Sequence, residues 1–230
     1  MSSYIRTMRS VSHILQILVN FNKLLVFPKL LIKLIVNVFS FGDQDIRLYD
    51  KHINETHLRE CLQSLLKRYD TIEDTRKTRF RPLFESIYLI QNLGTNEALL
   101  RYGSLPSEMK NHKMVFKSYK LGLNLLNGLY YQVIQSIAAI EVPILAALGA
   151  TKIPEIHSMA IKKLCFGYSS PNTRFPIRIL SQWLCPFEKN LKTADNYIEE
   201  LSKNYGLNVI NDSIAFNKTD FNETAKQVII

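Results

Sequence analysis

Apolar positions recur along most of the chain with the spacing of α-helices. Leu58, Cys61, Leu62, Leu65, Leu66 and Tyr69 fall at i, i+3, i+4, i+7, i+8 and i+11, which is one helical face. Residues 71–81 read as a polar connection. Pro82 then suits the first turn of a helix through Phe84, Ile87, Tyr88 and Ile90 to Leu93, with Gly94 as its stop. A short helix, Glu97–Tyr102, ends before Leu105-Pro106. Ser107 is placed to cap the next helix, with Met109, Val115, Phe116 and Tyr119 apolar. Further helices are expected around 123–138 and 142–149, and Pro154 opens another through Met159, Ile161, Leu164 and Cys165. Short-linked helices in succession describe an α-solenoid or a bundle.

The pattern changes near residue 167. Gly167–Pro171 reads as a loop, and Phe175-Pro176 leads into a short helix, Ile177–Leu184. Thr193 is placed to cap a second helix whose Ala194, Tyr197, Ile198 and Leu201 share a face, and Gly206 ends it. Leu207–Ile210 and Ser213–Asn217 then read as two short strands joined at Asn211-Asp212. Helix, helix, hairpin is the outline of a winged helix, shared by many small α+β modules.

Composition narrows the function classes. Hydrophobic residues are 47% and charged residues 21% of the 230, enough for a substantial core. The three cysteines, Cys61, Cys165 and Cys185, are too few and scattered for a disulfide framework or a four-ligand zinc site. His13, His52, His57, His112 and His157 have no metal-ligand spacing, and no phosphate-binding glycine loop, GxSxG or CxxC occurs. No enzyme, cofactor, metal or small-molecule substrate is expected.

Charge is unevenly spread. Residues 101–183 carry ten basic and three acidic residues, a net +7, whereas the whole chain is +9. Such an excess suits a face that meets phosphates or another acidic partner. The bland alternative is a solvated helical surface. Residues 11–41 are rich in Leu, Ile, Val and Phe, but Lys23, Lys29, Lys33 and Pro28 interrupt, so a spanning helix is not expected there. Residues 121–140 are uncharged over 20 positions, yet Asn124, Asn127, Gln132, Gln135 and Ser136 lie inside, which favours a buried helix over a membrane span.

Taken in order, Arg6–Val11, Asn54 to Tyr69-Asp70, Arg81-Pro82 to Leu105-Pro106, Asn127–Val133 and Met159-Ala160 to Phe221 form a set that resembles the GANP (germinal-centre-associated nuclear protein) and suppressor-of-actin family of mRNA-export scaffolds. Arg6–Val11 looks like the family's arginine-bearing opening. Asn54, His57-Leu58, Cys61-Leu62, Leu65 and Tyr69-Asp70 are similar to its N…L..cL..L..lYd helix. Arg81-Pro82, Phe84-Glu85, Tyr88-Leu89-Ile90, Asn92-Leu93 and Leu105-Pro106 resemble the segment that follows. Asn127–Val133 is similar to an Asn/aromatic helix. Met159-Ala160, Tyr168, Phe175-Pro176, Leu180, Leu184, Tyr205-Gly206-Leu207, Val209, Ile214-Ala215-Phe216 and Phe221 look like its closing winged-helix segment. The resemblance covers about residues 43–222.

That resemblance implies a mainly α fold: a helical-repeat (α-solenoid, PCI-like) body over 43–166, then a winged-helix module with a small β-hairpin over 167–222. Residues 1–42 are read as an atypical apolar and basic segment, an altered or truncated start, and 223–230 as a tail. It implies a nuclear, non-enzymatic scaffold at the pore side of the envelope. Its partners would be a PCI-domain protein, RNA (single-stranded included) and, through that partner, a small acidic peptide of the proteasome-lid type. Lys162, Lys163, Arg174, Arg178 and Lys218, around the winged helix, are the expected phosphate contacts. The alternatives are a centrosome or spindle role, implied for short members, and an organelle or membrane protein using residues 1–42 and 121–140.

Overall fold

Side-chain caps and left-handed turns decide where the helices begin and end. The computed structural model describes residues 51–71, 79–170 and 173–222, and among these the protein is mainly helical with one small sheet. It divides into two compact units, residues 1–88 and 89–230. The segment 1–42, the tail 223–230 and most of the 71–81 connection lie outside the described residues.

In the first unit, α1 (Lys51–Asp70) buries Cys61, Leu62, Leu65, Leu66 and Tyr69, as the periodicity requires. Burial pushes the Cys61 thiol up, with Glu60 adding to the effect, so it stays protonated. Helix α2 (Arg81–Gln91) places Pro82 in its first turn and buries Phe84, Ile87 and Tyr88. Arg81 is itself buried and gathers three acceptors. Its Nη1 donates to the Tyr69 carbonyl at 3.2 Å, its Nε to Glu85 Oε1 at 3.3 Å, and its Nη2 to Asp70. The Tyr69 carbonyl belongs to the last turn of α1, which has no intrahelical donor left for it, so the guanidinium closes that helix end. Tyr69 packs on Phe84 with ring centroids 6.3 Å apart, and burial pushes its hydroxyl up to about 12 despite Arg81. The Tyr69-Asp70 and Arg81…Glu85 motifs are therefore one packed network.

The second unit opens with α3 (Asn96–Ser104), whose N-cap Thr95 accepts from the Ala98 amide. Leu105-Pro106 separates it from the one-turn α4 (Ser107–Asn111). Ser107 lies inside that turn, and Pro106 occupies the cap position without a side-chain bond. His112 ends α4 and caps α5 (Lys113–Leu126), its Nδ1 accepting from the Met114 amide at 3.4 Å. Tyr102 and Tyr119 stack at 3.7 Å beside a small core of Leu89, Ala98, Leu105 and Val115. Phe116, expected on an apolar face, is exposed.

The helix expected over 123–138 is two helices. Gly128 has φ +68°, its amide reaches the Leu125 carbonyl, and the Leu129 amide reaches Asn124. This Schellman turn satisfies the last carbonyls of α5 before α6 (Tyr130–Ala138) begins. Pro143 opens α7 (Pro143–Ala150), and Pro154 sits in the first turn of α8 (Ile153–Gly167).

After α8 come β1 (Phe175–Pro176), α9 (Ile177–Leu184), α10 (Leu191–Asn204), β2 (Asn208–Ile210) and β3 (Ser213–Ala215). Asn190, not Thr193, caps α10 by accepting from the Lys192 amide at 3.1 Å. Gly206, φ +80°, closes α10 with a second Schellman turn, and a Cβ there would meet the Asp220 carbonyl at 2.7 Å. Asn211 and Asp212 take φ 47° and 54°, the type I′ geometry that suits a two-residue hairpin. The sheet is antiparallel in the order β1-β3-β2, with Phe175 opposite Ile214 and Val209 opposite Ile214. Pairing of Phe175-Pro176 with β3 adds a strand to the hairpin read from sequence; proline fits there because β1 is an edge.

One apolar core joins these elements. Val133, Ile134 and Ile137 from α6 meet Ile156, Ile161 and Cys165 from α8. Leu180 and Leu184 from α9, Ile198 and Leu201 from α10, and Ile214 and Phe216 complete it. His157 is buried in its wall. Its Nε2 donates to the Leu184 carbonyl at 2.8 Å, which leaves Nδ1 to accept from the Tyr197 hydroxyl at 3.2 Å. One neutral imidazole thus ties α8 to the end of α9 and the middle of α10.

Two outcomes follow from these pins. Arg81→Ala should lower stability by about 3–5 kcal/mol, because it strips the guanidinium from the fully buried Glu85; the double variant Arg81→Met with Glu85→Gln should be less damaged, read by urea unfolding. Burial lowers the His157 pKa, outweighing the Leu184 bond, so the unfolded chain takes a proton more readily. Its contribution is complete above the ordinary value of 6.5 and is lost as pH falls below it toward the lowered folded value. Unfolding midpoints at about pH 7.5 and 5.5 should diverge less in His157→Gln than in the parent.

Candidate nucleic-acid interface

The five cations expected to meet phosphate all lie in the second unit, but in unlike surroundings. Lys162 and Lys163 are consecutive on the last half of α8. Lys163 Nζ donates to the Gly128 carbonyl at 3.0 Å and stands 5.5 Å from the Tyr130 ring centroid. It therefore clamps the α5–α6 turn, and a Cβ on Gly128 would meet that ammonium at 2.5 Å. Lys162 is half-buried beside it and is itself engaged. Lys218 follows β3 and places its ammonium 5.0 Å over the ring of Phe166. Phe166 is one turn from both Lys162 and Lys163 on α8, so these three lysines gather at the end of that helix.

The two arginines stand apart from that cluster. Arg178, in the first turn of α9, is paired with Asp195 of α10 at 3.1 Å. Asp195 also accepts from the Ser181 hydroxyl, so the pair fastens α9 to α10. Arg174 is exposed immediately before β1 and, among the described residues, makes no ion pair. Of the five, Arg174 and Lys218 keep the freest heads, while Lys163 and Arg178 hold internal structure.

The chain also presents aromatic rings that sequence reasoning did not single out as functional. Trp183, Tyr131, Tyr168 and Phe166 are 36%, 50%, 40% and 55% exposed. Trp183 lies 6.2 Å from Tyr131 and 5.4 Å from Phe175, whose ring also contacts Tyr168 at 5.3 Å and Phe216 at 5.8 Å. The buried Phe175 thus anchors a row of solvent-facing rings, and Arg174 precedes it directly. The available signal was the α9 pattern: with Ile177, Leu180, Ser181 and Leu184 buried, Ile179 and Trp183 must face outward. Base faces stack on such rings, and cations beside them neutralise phosphate, so the surface has the two components of a single-strand platform. Among the described residues no group of three His, Cys, Asp or Glu side chains is placed to hold a metal ion. Nor is any helix among them long and apolar enough to cross a membrane.

The sequence model of the SAC3/GANP family matches residues 14–211. The chain belongs to the SAC3/GANP family. The match takes in residues 14–42, which the resemblance above left out, and stops at the hairpin turn; Arg6–Val11 lies outside it. Both the Arg81 network and the five candidate cations except Lys218 fall within the matched span. SAC3/GANP membership points to a scaffold of the mRNA-export type, in a family that is typically nuclear. No curated protein sequence matches the chain.

The structural and electrostatic roles of these cations separate by measurement. Lys163→Ala should lower stability by about 1 kcal/mol through loss of the Gly128 clamp. Arg174→Ala should stay within about 0.5 kcal/mol of the parent. Urea unfolding midpoints of the two variants check the assignment.

Proposed function

We propose that this SAC3/GANP chain is a non-enzymatic scaffold in nuclear mRNA export that holds a PCI-domain protein and single-stranded RNA. The observation that carries the RNA part is the row of exposed rings beside cations that make no ion pair among the described residues: Trp183, Tyr131 and Tyr168 with Arg174, and Lys218 over Phe166. In this reading residues 167–222 act as a winged helix, α9 and α10 being its helices and β2–β3 its wing. It lies beside the winged helix of the PCI partner, which an acidic proteasome-lid-type peptide braces. The exposed Ile179–Trp183 face of α9 supplies apolar area that a partner module could cover. Lysine and arginine fix the backbone of the RNA without reading its sequence, and the rings accept any base, so binding is general in sequence.

The test is RNA affinity against salt, for the chain alone and with its PCI partner. Log affinity for a labelled oligouridylate should fall linearly with log salt, by about 0.7 per phosphate contact. Arg174→Glu and Lys218→Glu should flatten that slope. Trp183→Ala should lose about 1–3 kcal/mol, the worth of one stacked base, without changing it. A flat salt dependence in the parent overturns the RNA part.

A further inference from the structure

A second basic surface shares no residue with the aromatic row, and its chemistry is different. A cavity of about 440 Å³ opens between α5, the last turn of α6 and the start of α7. Lys113, Lys117 and Lys120 line it, at i, i+4 and i+7 along one face of α5, a stripe about 10 Å long. All three are exposed, and among the described residues none makes an ion pair. The cavity's sole carboxylate is Glu141. Its floor is aliphatic, with Leu121 and Leu145 buried and Ile140 and Val142 half-buried. Ser118, also in the lining, donates its hydroxyl to the Met114 carbonyl and so offers no free donor.

We propose that this cavity receives an acidic segment of a partner protein that carries an apolar anchor side chain. Three observations favour that occupant. An apolar floor of this size takes one or two Leu- or Phe-sized side chains and does nothing for a free anion. Three ammonium groups spread over two helical turns are more than a single-headed lipid needs, and they match carboxylates repeated along a peptide. The lining contains no Phe, Tyr, Trp or Arg; its one aromatic ring is His112, whose Nδ1 already caps α5, so an RNA base would find a poorer stacking surface than at Trp183. The apolar anchor supplies affinity, and the lysine stripe steers the approach and fixes the register.

The test uses the full chain and four probes. The first is a fluorescein-labelled peptide, about three helical turns long, that alternates Asp/Glu pairs with Leu and Phe. The second replaces its Leu and Phe with Ser. The third is oligouridylate, and the fourth is phosphatidylserine vesicles. The acidic, apolar peptide should bind saturably, and its Ser version should bind weakly. Lys117→Glu with Lys120→Glu should weaken binding about tenfold. Ala139→Trp, at an exposed lining position, should do the same by filling the cavity while leaving charge unchanged. No saturable binding, or equal binding to both variants, overturns the proposal. So does a lysine-dependent signal that goes to oligouridylate or vesicles instead, or light scattering that shows the stripe serving self-association. The Trp183→Ala chain should bind the peptide as the parent does, which keeps this result separate from the RNA reading.

Discussion

Burial of one shared apolar surface by α6, α8, α9, α10 and the sheet underlies the second unit. Ile134, Ile156, Leu180, Ile198 and Ile214, each from a different element, are fully buried in it. Each such side chain contributes about 1.5–3 kcal/mol relative to exposure, and the larger effect is directional. A helix committed to that core on one face must turn its other face to water. Trp183, Phe166 and Tyr131 are outward-facing for this reason, and the buried Phe175 backs the rings of Trp183 and Tyr168. His157 shows how the core tolerates a polar group: both ring nitrogens are satisfied, and they tie α8 to the last residue of α9 and to the middle of α10.

The cations divide by whether they have internal work. Lys163 and Arg178 are held by a carbonyl and a carboxylate of the chain itself, so a phosphate would have to compete for them. Arg174, Lys218 and the Lys113–Lys117–Lys120 stripe have no carbonyl or carboxylate partner of that kind among the described residues. Two basic surfaces result, one bordered by aromatic rings and one floored by aliphatic side chains. The same positive charge is thereby fitted to different ligands, because it is the apolar part of each surface that selects the partner.

In the first unit the residues that most resemble the family are structural. Tyr69, Asp70, Arg81 and Glu85 converge on a single buried guanidinium that closes α1 and starts α2. A scaffold that binds through exposed surfaces depends on such pins to keep its helices in register.

The sequence by itself determined the helical character, most helix positions, Gly206 as a helix stop, and the two-residue turn at Asn211-Asp212. These rest on local physics: periodicity, proline at helix starts, and the freedom of glycine and Asn/Asp at positive φ. Family membership was also legible, through the order of motifs that each say little alone. Tertiary structure decided the rest. It split the expected 123–138 helix at Gly128, where the chain turns at positive φ and Lys163 of α8 holds the freed carbonyl. It moved caps from Ser107 and Thr193 to His112 and Asn190, made Phe175-Pro176 a third strand, and paired the exposed Arg178 of α9 with Asp195 of α10. All of these depend on which groups distant in the chain come within hydrogen-bonding reach, and periodicity carries no record of that.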